Sequence, residues 1–377
     1  MKLYRRLYLY FPAVVLTAAC GGDVPLAQAT PETEDSSVET SVSPTPLTAL
    51  VQLNVPTYEG SGQAVHPDVV RFPTAWQGWE YWMAMTPFPR GNEAFENPSI
   101  LVSHDGLRWQ VPAGLVNPLA KTPGKRGYNS DPDMSYDAAG NRLVLLYREV
   151  SATHNLIRST ASTDGVHWSK PVLVFRRPNH GMVSPTVTFA AAGTPILWYV
   201  DAGPKNCSER TTHVMMQRGS AVGALLPTAP ERGWTVPRMT LTQPGMNIWH
   251  IDAVWVPERN EYWAVYIAYP IHHCAGQDLF FARSRDGVNW TTYSIPFLRR
   301  GEATWTTGTL YRASVTYDAS RDVIQFFLSG SAANKSWHLG YVDYQLGSFL
   351  ASLEHGYPVT IPAAPSRAPT TGPISEP

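Results

Sequence analysis

The stretch Ser103-His104-Asp105-Gly106-Leu107-Arg108-Trp109 returns as Ser162-Thr163-Asp164-Gly165-Val166-His167-Trp168 and again as Ser284-Arg285-Asp286-Gly287-Val288-Asn289-Trp290. The shared pattern is Ser-x-Asp-Gly-x-x-Trp. Asp-Gly supplies the positive φ angles of a tight turn between two strands. The serine or aspartate side chain can bond turn amides, and the tryptophan covers the neighbouring strand. Each copy should therefore join the third and fourth strands, C and D, of a repeated unit. From Ser103 to Ser162 is 59 residues and from Ser162 to Ser284 is 122. The second gap is nearly double the first, so a degenerate copy is expected near Gly223.

Other strands fall into the same frame. Apolar runs suited to second strands, B, cover residues 81–85, 143–147, 195–199, 262–266 and 323–327. Ahead of each lies a first strand, A. These begin at His66-Pro67-Asp68, Asp131-Pro132-Asp133, Ser184-Pro185-Thr186, His250-Ile251-Asp252 and Arg312-Ala313-Ser314. Helical periodicity is nearly absent. Self-similarity at about 60 residues marks a repeat architecture, and five four-stranded units fill residues 50–350. The expected fold is an all-β, five-bladed β-propeller over residues 49–362.

The rest of the chain reads as an address and two tails. Lys2, Arg5 and Arg6 precede an apolar run from Leu7 to Ala19, which is too short to span a bilayer comfortably. It closes on Leu16-Thr17-Ala18-Ala19-Cys20, which resembles the lipobox of bacterial lipoproteins. That resemblance implies a leader over residues 1–20, lipidation of Cys20, and an exported protein anchored to a membrane without spanning it. Residues 21–48 are polar and acidic and should form a disordered tether. Residues 363–377 are Pro/Ala/Ser/Thr-rich and should form a disordered tail. The chain has 3 cysteines. Cys207 and Cys274 remain after Cys20, and in an oxidising compartment they are expected to pair. A net charge of −1, with 16% charged residues, argues against a nucleic-acid partner. The expected state is a monomer.

In a propeller the A strands start at one mouth of the central channel. The D–A and B–C loops share that mouth, and the Asp-Gly turns lie at the other. The i, i+2 spacing puts each pair at an A-strand start on one strand face. His66 with Asp68, Asp131 with Asp133, His250 with Asp252 and Arg312 with Ser314 therefore converge on one funnel. Charged groups gathered there are costly unless paired or used. Arg148 and Arg312 could bind a carboxylated sugar or pair with the aspartates. Trp76, Trp79, Trp249 and Trp305 are placed near the same mouth, where they could stack on sugar rings or pack between blades. The two His-x-Asp pairs admit a divalent ion, but no dense ligand spacing marks one, so no metal or other cofactor is assigned.

The five-fold frame, His66-Pro67-Asp68, Asp131-Pro132-Asp133 and the Asp-Gly turns resemble the five-bladed glycoside hydrolases of the furanosidase type, family 43, over roughly residues 60–345. The resemblance implies a blade-one aspartate as general base, matched by Asp68. It implies a blade-two aspartate that orients, matched by Asp133, and a blade-three glutamate as general acid. Blade three instead reads Ser184-Pro185-Thr186. A hydrolase would then recruit its acid from a loop at the same mouth. Glu96, beside Phe95, is the first choice and Glu302 the second. Two functions follow: a glycosidase acting on an extracellular glycan, or a non-catalytic glycan-binding propeller.

Overall fold

The structure, a computed structural model, describes residues 46–356 apart from 125–126, 152–153, 179, 190–194, 203–211, 220–240 and 274. Cys20, the Cys207–Cys274 pairing, the leader, most of the tether, the tail and the degenerate turn near Gly223 lie outside the described residues. No described helix is long and apolar enough to cross a membrane.

Five antiparallel sheets form the five blades. Blade one runs Ala64–Trp76, Trp79–Pro87 and Ser99–Ser103, with a lone bridge from Val102 to Gln110 in place of a full fourth strand. Blade two has all four strands, Tyr128–Asp137, Arg142–Val150, His154–Ser162 and Val172–Pro178. Blade three shows Val183–Phe189, Pro195–Asp201 and His213–Arg218 among the described residues. Blade four runs Met246–Val256, Glu261–Pro270, Asp278–Ser284 and Trp290–Thr292. Blade five runs Thr309–Asp318, Val323–Ser331 and Trp337–Gln345, and its outer strand is Thr48–Leu53 from the start of the domain. This last pairing ties the two ends of the propeller together and leaves no open edge between them. The helix Leu346–Glu354, absent from the sequence reading, covers blade five with Phe349 and Leu353.

The repeated turns do two jobs. Within each turn the serine hydroxyl accepts the glycine N–H, as in Gly165 to Ser162 at 2.8 Å. The aspartate accepts two further amides, from Val166 and His167 in the second copy. The tryptophan indole then donates back to the glycine carbonyl, at 3.0 Å in the first copy and 3.1 Å in the others. Between blades, each glycine faces an aromatic ring on strand B of the preceding blade. A Cβ at Gly106 would lie 3.3 Å from Phe327, at Gly287 2.9 Å from Trp198, and at Gly165 2.1 Å from Trp82. All three glycines have φ between 72° and 74°. Gly165→Ala therefore combines a left-handed penalty with forced overlap, an expected loss of about 2 to 5 kcal/mol. Denaturant midpoints check this. The expected order of damage is Gly165, Gly287, Gly106, and an equal or reversed order contradicts the inter-blade role.

Candidate functional site

Every A strand breaks register where it enters the channel. The shifts fall between Val65 and Asp68, Ser130 and Asp133, Ile248 and Ile251, and Leu310 and Ala313. Blade three has its irregularity between Val183 and Thr186. Bulges of this kind re-aim side chains. In three blades the bulged residue precedes a proline and still has positive φ: His66 at 55°, Asp131 at 49° and Ser184 at 50°. Such backbone is disfavoured before proline and costs of order 1 to 3 kcal/mol per residue. The same strain repeated at one level of the channel is a mark of function.

The i, i+2 pairs form two tiers with different work. The lower tier is Asp68, Asp133, Thr186, Asp252 and Ser314. Each accepts a backbone N–H from the next blade: Met134 to Asp68, Val187 to Asp133 at 2.8 Å, Ala253 to Thr186 at 3.2 Å, Val315 to Asp252 at 3.1 Å, and Val69 to Ser314 at 3.0 Å. These five bonds close a ring from blade one back to blade one. Arg312 reaches across the axis into this ring, 3.0 Å from Asp133 and 3.7 Å from Asp68. Burial pushes the carboxyls of Asp68, Asp133 and Asp252 up, Asp133 to about 7, while Arg312 opposes the rise. A cavity of about 370 Å³ opens beneath them at the opposite mouth, lined by Asp68, Asp133, Asp252, Tyr136, Trp255 and Tyr317. It does not contain the histidines of the upper tier, and the oxygens at its floor are already engaged. The geometry thus gives Asp68 and Asp133 a structural partner where a general base and its orienting carboxylate were expected. Asp252 and Arg312 belong to the same buried network, in which Arg312 Nε and Nη1 make no hydrogen bond among the described residues.

The upper tier holds two histidines and a carboxylate. His66, Asp131 and His250 come from blades one, two and four, with 2%, 0% and 1% exposure. One donor atom from each lies within 4.8 Å of the other two. His66 Nε2 is 3.2 Å and His250 Nδ1 3.9 Å from Asp131 Oδ1. Among the described residues none of these three atoms makes a hydrogen bond. The outer faces of His66 and Asp131, by contrast, are supported. Thr86 lies 3.1 Å from His66 Nδ1, Arg148 Nε 3.0 Å from Asp131 Oδ2, and Ser184 N–H donates to that oxygen at 2.9 Å. Burial holds His66 down at about 3 and His250 well below its ordinary value, so both imidazoles are neutral. Burial alone would raise Asp131, but Arg148, with Arg312, overrides it and keeps the carboxylate ionised. Two neutral imidazoles and one carboxylate, buried and turned towards one point, with His66 and Asp131 held by their outer atoms and both His250 nitrogens without a hydrogen bond, form a donor set for a zinc-like ion. The orphaned inner atoms fit such an ion. Sequence spacing could not mark this set, because its members come from three different blades.

Glu96 stands beside it. Its carboxylate is buried and lies 3.7 Å from His66. Burial, reinforced by Asp131, pushes its carboxyl well above the ordinary range, against the pull of Arg148. Tyr311 packs 4.3 Å from His250 and 5.3 Å from His66, ring to ring, and bonds Trp249. Trp249 lies at the mouth, 6.1 Å from His250.

Other expectations are corrected. Arg148 is the partner of Asp131 and Ser130, so it supports a site carboxylate. Glu302 turns back on its own loop, accepting the Arg299 N–H at 2.7 Å, with Asp278 and Tyr344 as its charged and aromatic neighbours. Trp305 is drawn inward by the short helical turn Thr304–Thr306 and packs in the core shared by blades four and five. Trp76 and Trp79 flank the A–B hairpin at the far end of blade one, where Trp79 stacks on His104 of the first Asp-Gly turn.

No family model matches the chain. A curated relative, the A type blood N-acetyl-alpha-D-galactosamine deacetylase of Flavonifractor plautii, is 27% identical over 300 residues, or 68% of this chain. The chain spans 38% of that protein's length. Among solved structures, an N-acetylgalactosamine deacetylase from F. plautii in complex with blood group B trisaccharide matches with a TM-score of 0.72 and 22% identity, over 84% of this chain and 99% of that one. A thermostable family-43 glycoside hydrolase gives 0.53 at 14% identity, over 74% and 88%. Xylan beta-1,4-xylosidase from Bacillus Halodurans gives 0.53 at 12%, over 79% and 54%. The chain therefore shares its five-bladed propeller with family-43 glycoside hydrolases and with that deacetylase.

Proposed function

We propose that this protein removes the acetyl group from an N-acetylated sugar of a glycan, by metal-assisted amide hydrolysis at His66, Asp131 and His250. The observation that carries the reading is the buried donor set: three unpartnered ligand atoms from three blades, two of them backed by bonded outer atoms, with Glu96 beside them. The relation to a deacetylase points the same way. A zinc-like ion held there supplies Lewis acidity towards an amide carbonyl and lowers the pKa of water. The chain's own groups supply the rest. Glu96 in its ionised form accepts a proton from the attacking water, and its raised pKa suits the protonated carboxyl to deliver it to the departing amine nitrogen, so that water and amide become acetate and amine. Arg148 and Ser184 hold Asp131 in the ionised, correctly turned state.

Glycosidic cleavage is less well supported. It asks Asp68 and Asp133 to be free carboxylates, and both are engaged by neighbouring blades and Arg312. Acetate and new reducing ends can be measured on the same N-acetylhexosamine-containing glycans, with Zn²⁺-loaded protein and after chelation. Metal-dependent acetate without new reducing ends supports the proposal. Reducing ends without acetate establish the glycosidase, and glycan binding without either product establishes a binding propeller. We further propose that the protein is exported as a monomer and anchored through Cys20. Cys20→Ser is then expected to move it from the membrane to the soluble fraction, and unchanged fractionation contradicts the anchor.

A further inference from the structure

We propose that Trp337 is the platform for the sugar ring that bears the acetamido group. The inference rests on the amide-hydrolysis reading above. Trp337 opens strand C of blade five, directly after the B–C loop, at the mouth that holds the donor set. It is partly exposed, and so are Phe88 and Tyr311 beside it. The three rings form a wall that leads to the donor set. Phe88 lies 5.2 Å from Trp337, Trp337 5.4 Å from Tyr311, and Tyr311 4.3 Å from His250. Two ring-to-ring steps thus separate the indole from a metal-ligating imidazole. That matches the extent of an acetamido group plus one pyranose ring.

The platform is fixed before any sugar arrives. Gln63 accepts the backbone N–H of Trp337 at 3.2 Å and of Arg90 at 3.0 Å through one side-chain oxygen, and its carbonyl accepts the Phe88 backbone N–H at 2.9 Å. The loops of blades one and five are stapled together by this residue. Neither Phe88 nor Tyr311 lies parallel to the indole; the interplanar angles are 61° and 67°. A flat, rigid, amphipathic ring held at low entropy is a suitable surface for the apolar face of a sugar. The funnel is blind beneath it, since His66, Asp131, His250 and Arg312 are at most 2% exposed. A chain threading through the channel would have to pass Arg312, so the acetamido sugar enters and leaves by this mouth.

The test compares two substrates of the Zn²⁺-loaded protein: a p-nitrophenyl glycoside of N-acetylhexosamine and the sugar-free amide 4-nitroacetanilide. Trp337→Ala is expected to reduce the preference for the sugar, as a ratio of kcat/KM values, by about ten-fold, with the loss in KM. Trp337→Phe should restore most of it. An unchanged ratio, or the same loss on both substrates, overturns the platform. If the wild-type protein releases no acetate from either, the amide-hydrolysis reading fails on its own. Calorimetric binding of N-acetylhexosamine-terminated oligosaccharides then decides the platform: binding lost in Trp337→Ala retains it, and binding equal to wild type removes it.

Discussion

Asp131→Asn is expected to abolish metal retention and to lower acetate release by about 10³-fold, the scale of several kcal/mol of lost electrostatic and Lewis-acid stabilisation. Asparagine matches aspartate in shape, so the result isolates chemistry from packing. The amide can turn in two ways. If its nitrogen faces His66 and His250, the site has no third ligand. If its nitrogen faces outward, it meets Arg148 and the Ser184 N–H, two donors that approach the same side at 3.0 and 2.9 Å. Neither orientation satisfies both sides. Metal per chain by plasma mass spectrometry and acetate by a coupled assay check the result together. A variant with full metal and wild-type rate contradicts the donor set. A variant that keeps metal but loses activity restricts Asp131 to orienting the substrate. Arg148→Met acts one step further out. Losing an outer-shell partner typically costs about 10 to 100-fold in metal affinity.

The period of about 60 residues was enough to place all five A strands and to put both tiers in one channel. This worked because strand alternation is strict and Asp-Gly turns are chemically narrow. The division of labour between tiers was not legible. Asp131 and Asp133 are the same residue two positions apart, and only their partners separate them: two histidines and an arginine for one, the Val187 amide and Arg312 for the other. Those partners arrive from other blades. The same cause hid the outer strand of blade five, since Thr48–Leu53 pairs with Trp337–Gln345 nearly the whole domain away. Trp305 was chosen for the mouth and Trp337 was not, because both follow a loop of blade five and local sequence cannot say which indole turns inward. Glu96 was picked out by its place in the blade-one B–C loop and by the neighbouring Phe95, and it does lie at the upper tier.

The second large effect concerns the closing ring. Asp133→Ala removes the acceptor of the Val187 N–H and the nearest carboxylate of Arg312, both fully buried. Breaking a buried ion pair from one side costs about 3 to 5 kcal/mol, because the remaining charge has no water to replace its partner. At about 2 °C per kcal/mol for a large domain, the melting temperature should fall by roughly 6 to 10 °C. Asp68→Asn is expected to be milder. Its asparagine can still accept the Met134 N–H, and Arg312 lies further away, at 3.7 Å. The pair of variants separates a structural from a chemical role. If Asp68 were a general base, Asp68→Asn would abolish turnover while leaving the melting temperature unchanged. As a link between blades one and two, it should instead lower the melting temperature while the folded fraction keeps its metal and its kcat. The Asp133→Ala loss should be unaffected by zinc concentration, because the ring lies one tier below the donor set. A melting temperature fully restored by zinc would instead place Asp133 among the ligands.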